Sequence, residues 1–267
     1  MGAARLGEMF DSLSGERAAL IAYATGYYPD RETSERIVAR MLECGADAVE
    51  IGIPFSDPVM DGPVIQNASR VGLQAGATPD GVFEMTASLR RATDRPLMAM
   101  TYYNLVLRRG LERFADDAAA AGLDALVVPD LPAEEMGPLK EACDAAGLAT
   151  VAFCSRTTSA ERMARASSMA SGFLYCVSVL GTTGVRDSLD EGLPSFLESV
   201  RANTDRPLAV GLGISTPEQC AEVGRLADGV IVGSSLVRAV EQGDGDLSRL
   251  ADLVSGMASA LRRGPKQ

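Results

Sequence analysis

Along most of the chain, short unbroken apolar runs alternate with longer stretches in which apolar residues recur every three or four positions. The runs predict eight strands, at 19–25, 47–53, 97–102, 125–129, 149–153, 173–178, 208–211 and 229–232. They are continuously apolar, as strands covered on both faces are. The intervening periodicity predicts helices near 32–44, 79–92, 111–121, 134–146, 159–170, 191–202, 216–223 and 234–240, with a further one at 246–262. Ala121-Gly122 and Ala146-Gly147 are C-terminal helix signals, and Thr216-Pro217 opens a helix with proline in its first turn. Residues 1–13 read as a short amphipathic helix, because the cationic segment and apolar core of a signal peptide are missing.

Strict alternation of strand and helix implies a parallel sheet, either closed as a barrel or open and doubly wound. Eight units in 267 residues favour closure, since such barrels run to about 250 residues. No Gly-x-Gly-x-x-Gly follows the first strand, which weighs against a dinucleotide fold. With no linker or low-complexity tract in view, the expectation is a single α/β domain over 1–267, a (β/α)8 barrel of the TIM type with a short N-terminal helix.

Composition narrows the chemistry. A net charge of −11 and a pI near 4.6 repel nucleic acid and anionic membranes, so neither is an expected partner. No apolar run approaches the ~18 residues a membrane span needs. The five cysteines are odd in number, form no Cys-x-x-Cys and lie mostly in apolar contexts, which predicts free buried thiols in a reducing cytoplasm. Histidine is absent, and lysine occurs only as Lys140 and Lys266. A Ser-His-Asp triad and a His-ligated zinc site are therefore excluded. Acid–base work falls to Asp, Glu, Tyr or Cys. Lys140 belongs to a predicted outer helix and Lys266 to the tail, neither placed for an imine. No cofactor and no metal are expected.

In such barrels the chemistry gathers where strands end and the following loops begin. The densest signal is Val49-Glu50-Ile51-Gly52-Ile53-Pro54-Phe55-Ser56-Asp57-Pro58-Val59-Met60-Asp61-Gly62-Pro63. Glu50 interrupts an apolar strand, and if Val49 and Ile51 face the helices it faces the barrel mouth. Burying an unpaired carboxylate costs on the order of several kcal/mol, and no predicted strand interior supplies an arginine to pair with it. Asp61 alone reads as a turn residue before glycine. Beside Glu50 it reads as a second working carboxylate.

The last three loops are glycine-rich: Gly181-Thr182-Thr183-Gly184, Gly211-Leu212-Gly213-Ile214-Ser215 and Gly233-Ser234-Ser235. A helix starting near Ser234 would aim backbone N–H groups at an anion, which predicts a phosphorylated substrate. Thr101-Tyr102-Tyr103-Asn104, Asp130-Leu131-Pro132 and Tyr175 fall at the same rim. Position alone leaves Tyr175 open between a packed aromatic and a chemical role.

Together these motifs resemble the alpha subunit family of tryptophan synthase, in order from about residue 16 to 262. The Glu50–Pro58 stretch is the most specific part, joined by Asp61-Gly62-Pro63-Val64-Ile65-Gln66 and Val128-Pro129-Asp130-Leu131-Pro132. The resemblance implies retro-aldol cleavage of indole-3-glycerol phosphate to indole and glyceraldehyde 3-phosphate. It implies Glu50 as general acid–base, Asp61 as acceptor for the indole N–H, Tyr175 near the reacting carbons and Tyr102 in the substrate pocket. Thr183 and Gly184 would belong to a mobile loop, while Gly184, Gly213, Gly233 and Ser234 would contact phosphate. The implied partner is a pyridoxal-phosphate-bearing beta subunit in an alpha2beta2 assembly, docked on the apolar loops at 54–59 and 130–132.

The sequence departs from the family at Tyr27, where glycine is usual and where a bulky ring is expected to narrow the mouth. Arg156, Leu212 and Ser235 stand where proline, phenylalanine and alanine are common. Three alternatives stay open: a standalone lyase of the same chemistry, a catalytically idle regulatory relative, and another phosphate-binding barrel. Intact Glu50 and Asp61 argue against the second, and the missing histidine with the full Pro54–Pro58 motif against the third.

Overall fold

The computed structural model describes residues 2–177, 191–211, 213–243 and 245–262. Eight strands, β1 (Ala19–Thr25), β2 (Ala48–Gly52), β3 (Leu97–Met100), β4 (Ala125–Val127), β5 (Ala149–Ser155), β6 (Leu174–Val177), β7 (Leu208–Gly211) and β8 (Gly229–Val232), pair in chain order and close into a barrel. Every pairing is parallel, including the closing one between β8 and β1. Around it lie α2 (Arg31–Glu43), α3 (Pro63–Gln74), α4 (Pro79–Arg90), α5 (Tyr103–Arg109), α6 (Leu111–Ala120), α7 (Gly137–Ala146), α8 (Ala160–Met169), α9 (Leu193–Arg201), α10 (Pro217–Leu226), α11 (Ser234–Gln242) and α12 (Ser248–Leu261).

The strand expectations match closely, with β5 running on to Ser155. Several caps match as well. Gly147 ends α7 in the left-handed conformation, and the Thr216 side chain accepts from Gln219 N–H at the start of α10. Helices α3 and α5 were not expected. Gly62-Pro63 resembles a turn, and α3 buries only the small residues Ala68, Ser69 and Gly72. Helix α5 has seven residues and buries only Val106. Val64, Ile65, Ala68 and Val71 of α3 recur at helical spacing and pack on the core, a stripe obscured by the turn signal before it, whereas α5 is too short to show one. Pro63 at the helix start was the available signal.

Alternation along each strand separates two cores. Ala19, Ile21, Ala48, Met98, Val151 and Phe173 belong to the cluster that fills the barrel. Val49, Ile51, Ala99 and Leu126 belong to the layer beneath the helices. The N-terminal helix α1 (Gly2–Leu13) adds Leu6 and Phe10 to the inner cluster, with the Phe10 and Phe173 rings 5.7 Å apart. It closes the barrel floor.

Three aspartates stand where strands begin. Asp47 accepts from Leu20 N–H at 2.8 Å, Asp124 from Leu97 N–H at 2.8 Å and Asp228 from Leu208 N–H at 2.9 Å. Each also ion-pairs with arginine: Asp47 with Arg17, Asp124 with Arg5 and Arg90, Asp228 with Arg201. This end of the barrel is tied by charges that find partners.

Candidate active site

At the opposite end the pattern reverses. Alternation in β2 turns Val49 and Ile51 toward the helices and Glu50 into the barrel, level with Tyr23 on β1 and Met98 on β3. Glu50 is 1% exposed, and its Oε2 has no hydrogen-bond partner. No described cation pairs with it. Burial, reinforced by the charge of Asp61, pushes its carboxyl up to about 8. At neutral pH Glu50 holds its proton.

Asp61 lies in the loop between β2 and α3. Its N–H donates to Pro58 O at 3.0 Å, and Gln66 Nε2 donates to its carbonyl at 2.8 Å. Burial raises its carboxyl to about 6, while a hydrogen bond from the Tyr102 hydroxyl opposes the rise. Tyr102 itself is 2% exposed, so its ring is packed and its hydroxyl turned to the Asp61 loop.

Two further phenols share the site. Tyr175, on β6, stacks on Phe153 with ring centroids 4.7 Å apart. Burial, then the charges of Glu50 and Asp61, hold its hydroxyl far above the usual tyrosine range. Tyr23 is shifted the same way by burial and then by Asp61, and its oxygen accepts from Thr25 Oγ1 at 3.2 Å. The sequence reading missed Tyr23. Its signal was parity, since Ala19 and Ile21 belong to the inner cluster and Tyr23 continues their alternation as the register partner of Glu50. Each phenol overlies a glycine that ends a neighbouring strand. A Cβ at Gly52 would overlap the Tyr23 hydroxyl, and one at Gly211 the Tyr175 hydroxyl. Gly211, read as part of a phosphate loop, makes room for Tyr175.

Of the glycines predicted to contact phosphate, Gly213 and Gly233 are described, and Gly233 lies beside these groups. Gly233 precedes α11, whose first turn has neither a side-chain cap nor an acidic residue. A helix start of that kind leaves N–H groups for an anion. A Cβ at Gly233 would lie 3.6 Å from Tyr23 Cβ, which places the helix start, with Ser234, next to the carboxyl groups. Gly213 has a φ of 51°, in the left-handed region glycine favours. The Ser235 hydroxyl donates to Ile214 O at 2.9 Å and links the two loops. Thr183, Gly184 and Leu212 lie outside the described residues.

Two expectations need correction. Tyr27 does not narrow the mouth: its φ of 61° turns the side chain outward, where its hydroxyl abuts Gly81 at the start of α4. The usual glycine fits that left-handed backbone. In the loop at 130–132 Leu131 is buried, 4% exposed, and the exposed apolar residue is Pro132. On the other loop, Val59 and Met60 are 76% and 59% exposed.

Other reactive groups stand apart. Lys140 pairs with Asp144 on α7 at 2.6 Å. Burial pushes the Cys143 and Cys220 thiols up to about 12 and Cys154 up to about 11, which leaves them protonated. Among the described residues no three Cys, Asp or Glu side chains gather as a metal site.

Residues 10–262 match the family model described as tryptophan synthase alpha chain. The tryptophan synthase alpha chain of Citrifermentans bemidjiense is 44% identical over 97% of both chains. That of Mycobacterium ulcerans is 43% identical over 98% of this chain and 96% of its own. Among solved structures, tryptophan synthase of Mycobacterium tuberculosis superposes with a TM-score of 0.91 at 36% identity, covering 97% of this chain and 99% of that one. The alpha subunit of Legionella pneumophila tryptophan synthase gives 0.90 at 34% identity, covering 96% and 98%. With its closed barrel and its two carboxyl groups at the mouth, the chain belongs to the tryptophan synthase alpha chain family of carbon–carbon lyases.

Proposed function

We propose that this chain, acting as one domain, cleaves indole-3-glycerol phosphate to indole and glyceraldehyde 3-phosphate with Glu50 as acid–base and Asp61 as charge acceptor. A retro-aldol cleavage needs somewhere to put the electrons of the breaking C–C bond. Lys140 is paired with Asp144 on an outer helix and is not in a position to form an imine, so the indole ring serves as the sink. Glu50 protonates ring C3, which makes C2=N1 an electron acceptor with positive charge at N1–H. Asp61, ionised beside that N–H, stabilises the charge. Glu50, now a carboxylate, takes the proton from the hydroxyl on the adjacent carbon. The C–C bond breaks, its electrons restore the indole, and the carbon bearing the hydroxyl becomes the aldehyde. Tyr175 and Tyr102 line the reacting end. Gly184, Gly213, Gly233 and Ser234 hold the phosphate, and Thr183 belongs to the segment that closes over it.

The observation that carries this reading is the buried Glu50, which no described cation pairs and which is protonated where a carboxyl group is ordinarily ionised. A general acid has to hold its proton at working pH. With Asp61 near 6 and Glu50 near 8, kcat/KM is expected to be bell-shaped with limbs near those two values. The test is spectroscopic indole release from indole-3-glycerol phosphate. Glu50→Gln loses about 10²–10⁴-fold in kcat while staying folded, and turnover near the parent level in that variant removes the mechanism. The exposed Val59 and Met60 support docking of a beta subunit in an alpha2beta2 assembly in the cytoplasm. Adding a beta subunit to the same assay is expected to raise the rate.

A further inference from the structure

Tyr102 connects two loops of the site through one oxygen atom. It precedes α5, and its ring stacks on Phe55 with centroids 5.1 Å apart and planes at 23°. The Met60 N–H donates to the phenol oxygen at 3.1 Å, which brings that oxygen within reach of the carboxylate of the next residue, Asp61. Two consecutive residues, one by its backbone and one by its side chain, thus face a single group. The remaining hydrogen bonds to residues 57–61 are local, within the loop or from Gln66 at the start of α3. The side chains of Val59 and Met60 face outward and add no packing.

We propose that Tyr102 is a positioning residue: its hydroxyl aims the Asp61 carboxylate and keeps it in its acceptor form, a role separate from lining the pocket. The inference rests on reading Asp61 as the acceptor for the substrate N–H. A phenol that donates to a carboxylate favours the ionised state. That contribution opposes the burial that lifts Asp61 to about 6. Without it, the carboxyl titrates higher and the loop loses its attachment to the β3 end. Both changes fall on Asp61 and leave Glu50 in place.

Tyr102→Phe keeps the ring and its stack on Phe55 and removes only the hydroxyl. We expect the acid limb of kcat/KM to move up by about one pH unit, with a loss on the order of tenfold below the limb. The alkaline limb stays put. The same substitution in an Asp61→Asn background is expected to have little further effect, because the group it acts through is gone. An unmoved acid limb in Tyr102→Phe, or an equal loss in both backgrounds, overturns the proposal. Full turnover by Asp61→Asn alone overturns the underlying reading of Asp61, and this inference with it. If the phenylalanine variant does not fold, 3-fluorotyrosine at 102 serves instead. As a stronger donor it moves the acid limb down, and a limb that stays fixed sinks the proposal.

Discussion

Two sets of acidic side chains occupy opposite ends of one barrel. At the N-terminal end Asp47, Asp124 and Asp228 each accept a strand N–H and pair with arginine. At the C-terminal end Glu50 and Asp61 have no described cation, and burial lifts both toward neutrality or beyond. All five are carboxyl groups, and what separates them is the partners that surround them. Pairing with a cation and an N–H makes a carboxylate a tie between strands. Withholding both makes it a group whose proton is available near neutral pH, at a cost in stability. The division follows the general plan of these barrels, with stability at one rim and chemistry at the other.

That contrast breaks if either set behaves like the other. Asp124→Ala should have the largest effect on the fold. It removes a carboxylate with no exposed side-chain surface from two arginines and a backbone N–H. Urea unfolding should show a loss of about 3 kcal/mol, while the KM of the folded protein stays at the parent value. Gly211→Ala acts at the other end and should do the reverse. Its new methyl overlaps the Tyr175 hydroxyl and the ring carbons beside it, so the ring has to shift. Turnover should fall by about tenfold, with a stability change of about 1 kcal/mol. An equal loss of stability in both variants would erase the distinction between the rims.

Much of this was legible in the sequence, for identifiable reasons. Glu50 stood out because a charge within an apolar strand has few structural explanations. The proline-dense loop drew attention to Asp61. Tyr23 went unnoticed because tyrosine is an ordinary strand residue, and only register shows it beside Glu50. Helix α3 was hidden by the Gly62-Pro63 turn signal in front of its apolar stripe, and α5 by its length of seven residues. The placement of Tyr27 depended on a backbone angle, which residue type alone does not disclose. The three floor aspartates follow the same logic. Their value lies in arginines and N–H groups that folding brings from elsewhere in the chain.

The central claim is that Glu50 is neutral in the fold because it is buried with no described cation beside it. Its folded value lies above its ordinary one, so the stability it allows is complete below about 4.5 and is lost as pH rises through about 8. Glutamine keeps the shape and is neutral at every pH. The direct measurement is urea unfolding of the parent and Glu50→Gln proteins from pH 4.5 to 9. The account predicts near-equal stability at the acid end and a glutamine advantage growing to on the order of a few kcal/mol above pH 8. A difference that does not change with pH, or a parent protein that gains on the variant as pH rises, would contradict it.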